Sequence, residues 1–258
     1  MRKKDIADAK HFMEFDADID VSNIKNLEPL GDGAYSCVYK FNDLAVKLWR
    51  LPEENPAMVT EITTNMVKEQ EGIIKASEKA AAAGIDLIPV LDVQTFQHKG
   101  VKRMCTFSPI ISGKVLKYTT PEEMVAVKVE QLTKVFADIS VFDDFGLSTC
   151  DGHRKNFIRE EGTNRIVRLD YHPIDNMTAD KDGACTFIHT ALGLCYGSSM
   201  YNTIEQHANG YLNETETKAM KKVARNLETA VKSSKYRKDF FANYPRNFIG
   251  MLDNSKKI

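Results

Sequence analysis

The order of hydrophobic patterns along the chain limits its fold more than any other feature. Strand-like stretches of apolar and β-branched residues are concentrated in the N-terminal part, at residues 36–40, 44–49, 87–96 and 102–107. A helical pattern over 56–83 interrupts them, with Pro56 at its start and Gly84 after its end. A second helix is predicted from Pro121, and the chain from about residue 183 is mostly helical in pattern. This order predicts an α+β fold, with an antiparallel sheet and one helix followed by a mainly helical part.

Length and composition are those of an ordinary soluble protein. The 258 residues allow one large domain or two small lobes. Hydrophobic residues make up 43% of the chain and charged residues 28%, which excludes a disordered or fibrous protein. The 35 basic and 36 acidic residues give a net charge of −1, so we expect no nucleic-acid partner.

The cysteines and the N-terminal segment indicate a reducing compartment. The five cysteines include no Cys-x-x-Cys pair and no histidine spacing typical of zinc, so we expect free thiols. Residues 1–20 are charged throughout and lack the apolar core of a signal peptide. The apolar-leaning run at 184–197 is too short to cross a membrane. We therefore expect a protein without a membrane partner, in the cytoplasm of its own cell or of a host cell into which it is secreted. We also expect it to be a monomer.

Two glycines precede the first strand pattern. Gly31 and Gly33 allow the backbone to approach an anion closely, with amide groups directed at phosphate oxygens. A strand pattern follows them where a dinucleotide-binding motif requires a helix, so that motif is excluded. Alone, a Gly-x-Gly sequence between strands is most often a tight turn.

A lysine stands in the second strand of the predicted hairpin, sixteen residues after Gly31, in the sequence Ala45-Val46-Lys47. A lysine in an apolar strand usually extends its amine to the edge of the sheet. Directly after a hairpin that contains glycines, however, Lys47 stands where a phosphate-binding lysine is required. Such a lysine needs a carboxylate to hold its amine.

Three glutamates on the following helix are candidates for that carboxylate: Glu61, Glu69 and Glu71. At about 100° per residue, Glu69 falls on an apolar helix face and the other two do not. That face is formed by Met58, Ile62, Met66, Ile73 and Ala76. A glutamate on a buried face is unusual without a cationic partner, so we expect Glu69 to pair with Lys47.

A third stretch brings three oxygen-bearing side chains into a short span. Asp151 precedes Asn156 by five residues, and Asp170 follows a short apolar stretch. One carboxylate of such a set accepts a proton, while the amide and the second carboxylate hold Mg²⁺ beside a nucleotide. A polar loop in which each residue caps a turn is the alternative for Asp or Asn alone. Together with the glycines and Lys47, the set favours nucleotide chemistry.

These motifs, in this order and at these spacings, resemble those of the protein-kinase-like fold over residues 27 to about 171. The resemblance implies a two-lobed fold that binds ATP and Mg²⁺. Residues 1–26 are then an N-terminal extension, and residues 27–108 form an antiparallel-sheet lobe with one helix. Residues 109–258 form the hinge and a reduced, mainly helical second lobe.

The resemblance also implies a role for each candidate residue. Gly31, Gly33 and Ser36 match the glycine-rich loop, with Ser36 in place of its third glycine, and Val38 and Ala45 cover the adenine. The remaining assignments are Lys47 on the α- and β-phosphates, Glu69 on that lysine, Asp151 as the catalytic aspartate, and Asn156 and Asp170 as the Mg²⁺ ligands.

The sequence departs from the kinase pattern near the catalytic aspartate. Cys150 stands in place of the usual arginine, and His153 in place of the usual lysine, so Arg154 or Lys155 must supply the positive charge for the transferred group. Lys155 is our candidate catalytic residue. Asp-x-His-x-x-Asn resembles both small-molecule kinases of the aminoglycoside and choline type and the atypical kinases of bacterial effectors and phages.

Three functions remain open at the level of sequence. The first is an atypical, minimal serine/threonine protein kinase, such as an effector acting on a host protein, which the short segment 171–182 and the reduced C-terminal part favour. The second is a small-molecule kinase, although the basic C-terminal third does not suggest a pocket for a cationic substrate. The third is an ATP-binding pseudokinase scaffold, although Lys47, Asp151 and Asn156 are all retained.

One regulatory prediction follows from Cys150. Because no arginine stands there to receive a phosphate, we expect activity without phosphorylation of segment 171–182. Phosphatase treatment followed by an activity assay measures this, and loss of activity contradicts it.

Overall fold

The structure is a computed structural model that describes residues 27–32, 36–49, 56–98, 100–116, 121–148, 152, 154–163, 165–173, 179–196, 209–210 and 212–244. The chain divides into two compact units. The first comprises Met1–Ala83 and Ile88–Ile111, and the second comprises Gly84–Leu87 and Ser112–Ile258. The division falls after Ile111, whereas the sequence analysis starts the hinge at residue 109. Among the described residues, no helix has the length and apolar character needed to span a membrane.

The first unit contains a five-stranded antiparallel sheet of order β1-β2-β3-β5-β4. Asn42, at φ 51°, makes the tight connection of the predicted β2–β3 hairpin, because asparagine tolerates the left-handed conformation. The strands are β1 (Pro29–Asp32), β2 (Ser36–Phe41), β3 (Leu44–Trp49), β4 (Asp92–His98) and β5 (Val101–Pro109).

The strand predicted at 87–96 is wrong at its beginning. β4 starts at Asp92, and Leu87 instead forms an isolated parallel bridge with Arg168 inside the second unit. Pro89 lacks the backbone N–H that a ladder requires, so the apolar run cannot continue as one strand.

The helix predicted after the hairpin is confirmed as α1 (Pro56–Ala82), but its predicted buried face is wrong. Glu69 is exposed. The positions that are buried are spaced by three, four or seven residues, as on one helix face, at Val59, Thr63, Gln70, Ile73, Ser77 and Ala80.

Polar residues on the buried face explain this error. Thr63 Oγ1 donates a hydrogen bond of 3.0 Å to the carbonyl of Lys102 at the start of β5. Ser77 Oγ accepts one of 3.2 Å from the N–H of Val90. These side chains satisfy backbone groups of neighbouring segments, so they are buried, although their polarity alone predicts exposed positions.

The second unit is mainly helical, with short strands at the candidate site. β6 (Gly113–Val115), β8 (Phe157–Glu160) and β9 (Ile166–Arg168) form an antiparallel sheet, and β7 (Leu147–Ser148) pairs with β10 (His172–Pro173). Its helices are α2 (Pro121–Met124), α3 (Val129–Ile139), α4 (Ala179–Tyr196), α5 (Glu214–Val231) and α6 (Arg237–Asn243).

Two of the helix boundaries differ from the prediction. The helix predicted from Pro121 is interrupted: α2 ends at Met124, and α3 begins again at Val129. The restart is stabilised by Gln131, whose side chain accepts a hydrogen bond of 3.0 Å from the N–H of Lys128. The following helical region begins at Ala179, before the predicted residue 183.

The core of the second unit lies among α3, α4, α5 and α6. Phe136 and Phe187 pack edge to face at 5.8 Å, and Phe240 stacks on Tyr244 at 4.8 Å. A capping box between Asn213 and Glu216 starts α5, whose fully buried residues include Leu227. Together with the first unit, this architecture confirms the predicted α+β fold class.

Segment 84–87 is attached to the second unit through a cluster of charged side chains. Asp138, buried on α3, accepts a hydrogen bond of 3.0 Å from the N–H of Asp86. Lys134 lies 2.5 Å from the Asp138 carboxylate and also donates to the carbonyl of Gly84 at 3.0 Å. Arg165 Nε donates to Asp86 Oδ1 at 2.9 Å. Burial raises the pKa of Asp138, although the contact with Lys134 opposes that shift.

We expect Asp138 to make stability depend on pH. Its pKa is raised in the folded chain, so its contribution is complete below the unfolded pKa and is lost as pH rises through the folded value. Asp138→Asn stays neutral and should therefore lose less unfolding free energy than the wild type over the same rise in pH. Urea unfolding at a series of pH values measures both slopes. Exposed Asp239→Asn serves as the control, and equal slopes for wild type and Asp138→Asn contradict the prediction.

Candidate functional site

One face of the first sheet carries the residues predicted to contact a nucleotide. In the ladder, Lys47 on β3 lies between Val38 on β2 and Thr106 on β5. Ala45 precedes Lys47 by two residues, so the period of two places both on the same face. Val38, Ala45 and Lys47 are each half-buried.

The opposite face of the sheet has a different composition. Leu44, Val46, Cys105 and Phe107 are buried there in one apolar cluster. Burial raises the pKa of the Cys105 thiol far above its usual range, which makes that thiol unreactive. Successive residues of β3 alternate between the two faces of the sheet, so the register of the hairpin determines that Lys47 lies outside this cluster.

The glycine-containing turn is bracketed by the β1–β2 pairing. Gly31 lies opposite Val38, and Asp32 lies opposite Cys37, so the chain reverses between residues 32 and 37. Ser36 begins β2 and lies opposite Trp49. Gly33 lies outside the described residues.

The expected partner of Lys47 is not in contact with it. Glu69 is exposed on α1 and forms no ion pair with Lys47. The expectation depended on placing Glu69 on the buried face, and that face is rotated by one residue toward Gln70. The predicted Lys47–Glu69 ion pair is therefore wrong.

An aromatic ring of the same strand contacts Lys47 instead. Nζ of Lys47 lies 4.4 Å from the ring centroid of Trp49, a cation–π geometry. Because the two residues are two positions apart on β3, their side chains lie on one face of the sheet. The alternation of the strand is the sequence signal that identifies this neighbour.

The predicted Mg²⁺ ligands of the second unit lie at one end of the β8–β9 hairpin. Asn156 ends a 3₁₀ turn over Arg154–Asn156 and directly precedes β8. Phe157 pairs with Arg168, and the N–H of Leu169 donates to the carbonyl of Asn156 at 2.8 Å. This register places Asn156 and Asp170 at the same end of the hairpin, and each is half-buried.

Arg168 fixes the backbone at Asp170 and was not predicted to have a role. Its Nε donates to the carbonyl of Asp170, and its guanidinium lies 4.7 Å from the ring centroid of Phe157. The side chain is only 1% exposed. An arginine within the apolar strand that leads to Asp170 is the sequence signal, because a buried cation requires specific partners.

The structure also distinguishes Arg154 from Lys155. Arg154 is buried, and it donates from Nε to the carbonyl of Leu194 at 2.5 Å and from Nη1 to that of Glu123 at 3.2 Å. Its guanidinium therefore attaches the 3₁₀ turn to α4 and α2. Lys155 is exposed, which leaves its amine accessible to an anion.

Gly152 is a second position that sequence reasoning missed. A Cβ built on it would lie 2.3 Å from Cα of Thr190 and 3.0 Å from the carbonyl oxygen of His189 on α4. Glycine is therefore required where the chain that leads to Asn156 crosses α4. Asp151 lies outside the described residues, as do Cys150 and His153.

Comparisons with known proteins give a likeness of fold only. No protein-family model matches the sequence, and no curated protein matches it. Among solved structures, the chain is similar to the kinase domain of PknI from Mycobacterium tuberculosis, in a point-mutant form. The identity is 18% and the TM-score 0.42, over 65% of this chain and 70% of that one. At this similarity, the assignment of the site depends on the residues themselves.

We expect Gly152→Ala to destabilise the chain. Its new methyl group meets the backbone of Thr190, which cannot move aside as a flexible side chain can. Overpacking of this kind costs about 1–3 kcal/mol, measurable as a lower unfolding free energy in urea. Gly72→Ala is the matched control, since no atom lies within 4 Å of that position and alanine favours a helix. Equal stability of the two variants contradicts the prediction.

Proposed function

We propose that the chain is an ATP-dependent phosphotransferase that moves the γ-phosphoryl group to a serine or threonine hydroxyl of a protein. The observation that supports it most is the position of Asn156 and Asp170 at one end of the β8–β9 hairpin. If Asn156 and Asp170 each only capped a turn, they would not need to lie at the same end of the hairpin. A site that holds a divalent cation beside phosphates requires both ligands at the same end.

The donor set at the hairpin end fits Mg²⁺. Asn156 offers an amide oxygen and Asp170 a carboxylate, and magnesium prefers a few such oxygens together with phosphate oxygens and water. When bound, Mg²⁺ neutralises the charge that develops on the phosphates. Arg168 holds the backbone of Asp170, so that carboxylate starts from a fixed position.

Lys47 of the first unit binds the α- and β-phosphates in this proposal. The small Ala45 and the branched Val38 lie on the same face and leave room for the adenine ring. Gly31, Gly33 and Ser36 supply backbone amides for the phosphates. Glu69 takes no part in holding Lys47, in contrast to the expectation from sequence.

The transfer step uses Asp151 and Lys155. The acceptor hydroxyl attacks the γ-phosphorus, the bond to the β–γ bridging oxygen breaks, and the hydroxyl proton passes to Asp151. The exposed amine of Lys155 offsets negative charge on the transferred group. Positioning dominates such a reaction, because its transition state is loose.

A protein acceptor is favoured by the surface charge of α5. Lys222 and Arg225 are exposed along one side of this helix together with Lys218, which forms an ion pair of 3.1 Å with Glu214. A kinase of small cationic substrates needs acidic side chains around its acceptor, and a basic exterior offers no advantage to such a substrate. The charge of α5 suits an acidic protein surface.

We expect Asp170→Asn to reduce phosphoryl transfer by at least about a hundredfold, since it removes the negative carboxylate proposed to hold the metal beside the phosphates. Radiolabelled ATP with a mixed cell lysate measures the transfer. Asp144→Asn is the matched control, because Asp144 is an exposed carboxylate of the same unit. Full transfer by Asp170→Asn contradicts its role.

The same assay distinguishes the alternatives when Asp151→Ala is included. Label in protein bands that requires Asp151 supports the proposal. Label only in small molecules indicates a small-molecule kinase, and ATP binding without turnover indicates a pseudokinase scaffold; either result overturns the proposal.

A further inference from the structure

We propose that Trp49 is a positioning residue for Lys47, and that its indole ring keeps the ammonium in place for nucleotide phosphates. The inference rests on the proposed function, because Lys47 must be a phosphate ligand for its position to matter. It assigns to an aromatic ring the role that the sequence analysis gave to Glu69.

The first support is geometric. Nζ of Lys47 lies 4.4 Å from the ring centroid of Trp49, well inside the range of a cation–π contact. Trp49 is half-buried, and it faces Ser36 in the ladder, at the strand end next to the glycine-containing turn. The ring therefore holds the amine at the end of the sheet where phosphates are expected.

The second support concerns the indole itself. Its Nε1 is buried and has no hydrogen-bond acceptor among the residues that the structure describes. No polar contact to those residues therefore fixes the ring orientation. Packing and the contact of its face with Lys47 orient it.

The chemistry of the contact is compatible with phosphate binding. An indole ring is neutral, so it attracts the ammonium through its quadrupole without compensating its charge. Phosphate oxygens carry full negative charge and form direct hydrogen bonds, which are stronger contacts for an ammonium group. The ring can therefore hold the ammonium in place while phosphates bind it.

Trp49 is the one tryptophan of the sequence, so all tryptophan fluorescence comes from the ring that contacts Lys47. We expect ADP with Mg²⁺ to change the emission of the wild type. Lys47→Met should change the emission without nucleotide, because the cation leaves the ring. Unchanged emission in Lys47→Met, or nucleotide binding that leaves wild-type emission unchanged, overturns the proposal.

Affinity measurements test whether the contact matters for binding. Calorimetric titration with ADP and Mg²⁺ should give a Kd about fivefold higher for Trp49→Leu, because the ring no longer holds the amine in place for the phosphates. Trp49→Phe keeps an aromatic face and should remain within about twofold of the wild type. The ATP KM should follow the same order, with kcat nearly constant, because a purely structural defect lowers kcat as well.

Phe41→Leu provides the matched control. Phe41 packs in the apolar cluster on the opposite face of the sheet, so its replacement removes an aromatic ring without touching Lys47. Its ADP affinity should equal that of the wild type. If Trp49→Leu binds ADP as tightly as the wild type, the role of Trp49 is overturned while the proposed function stands. If the wild type binds no nucleotide, the proposed function fails and the inference with it.

Discussion

The buried guanidinium of Arg168 is the interaction on which the candidate site of the second unit depends. Burying an arginine is costly unless its donors are used, and Nε is used on the carbonyl of Asp170 while the ring of Phe157 covers the guanidinium plane. The backbone N–H of Arg168 also donates to the carbonyl of Asp86 at 3.0 Å. One residue thus joins β8, the segment at 84–87 and the predicted metal ligand Asp170.

The basic residues near the site divide according to what arginine and lysine can do. Arg154 and Arg168 each present planar donors that satisfy backbone carbonyls in buried positions. Lys155 lies between the two arginines in the sequence but differs from them in environment, because its flexible amine is exposed. The fork geometry of arginine suits these buried contacts with backbone carbonyls, whereas the exposed amine of Lys155 is accessible to an anion.

The elements whose formation depends on signals within a short stretch of sequence were predicted correctly. The β2–β3 hairpin and α1 follow from alternation, a turn and helix-terminal signals, and these are local properties. The rotation of α1 was missed because Thr63 and Ser77 are buried through hydrogen bonds to other segments. Gly152 and Arg168 were missed for the same reason: their neighbours, Thr190 and Phe157, become neighbours only through tertiary packing.

The contact between Lys47 and Trp49 is formed by two residues of the same strand, β3. A carboxylate on α1 reaches the lysine only if the helix has the correct rotation, and here the helix turns Glu69 to solvent. Residues two apart on a strand share a face whatever the helix does. The contact of Lys47 with Trp49 therefore follows from the same register that places Val38 and Ala45 beside the lysine.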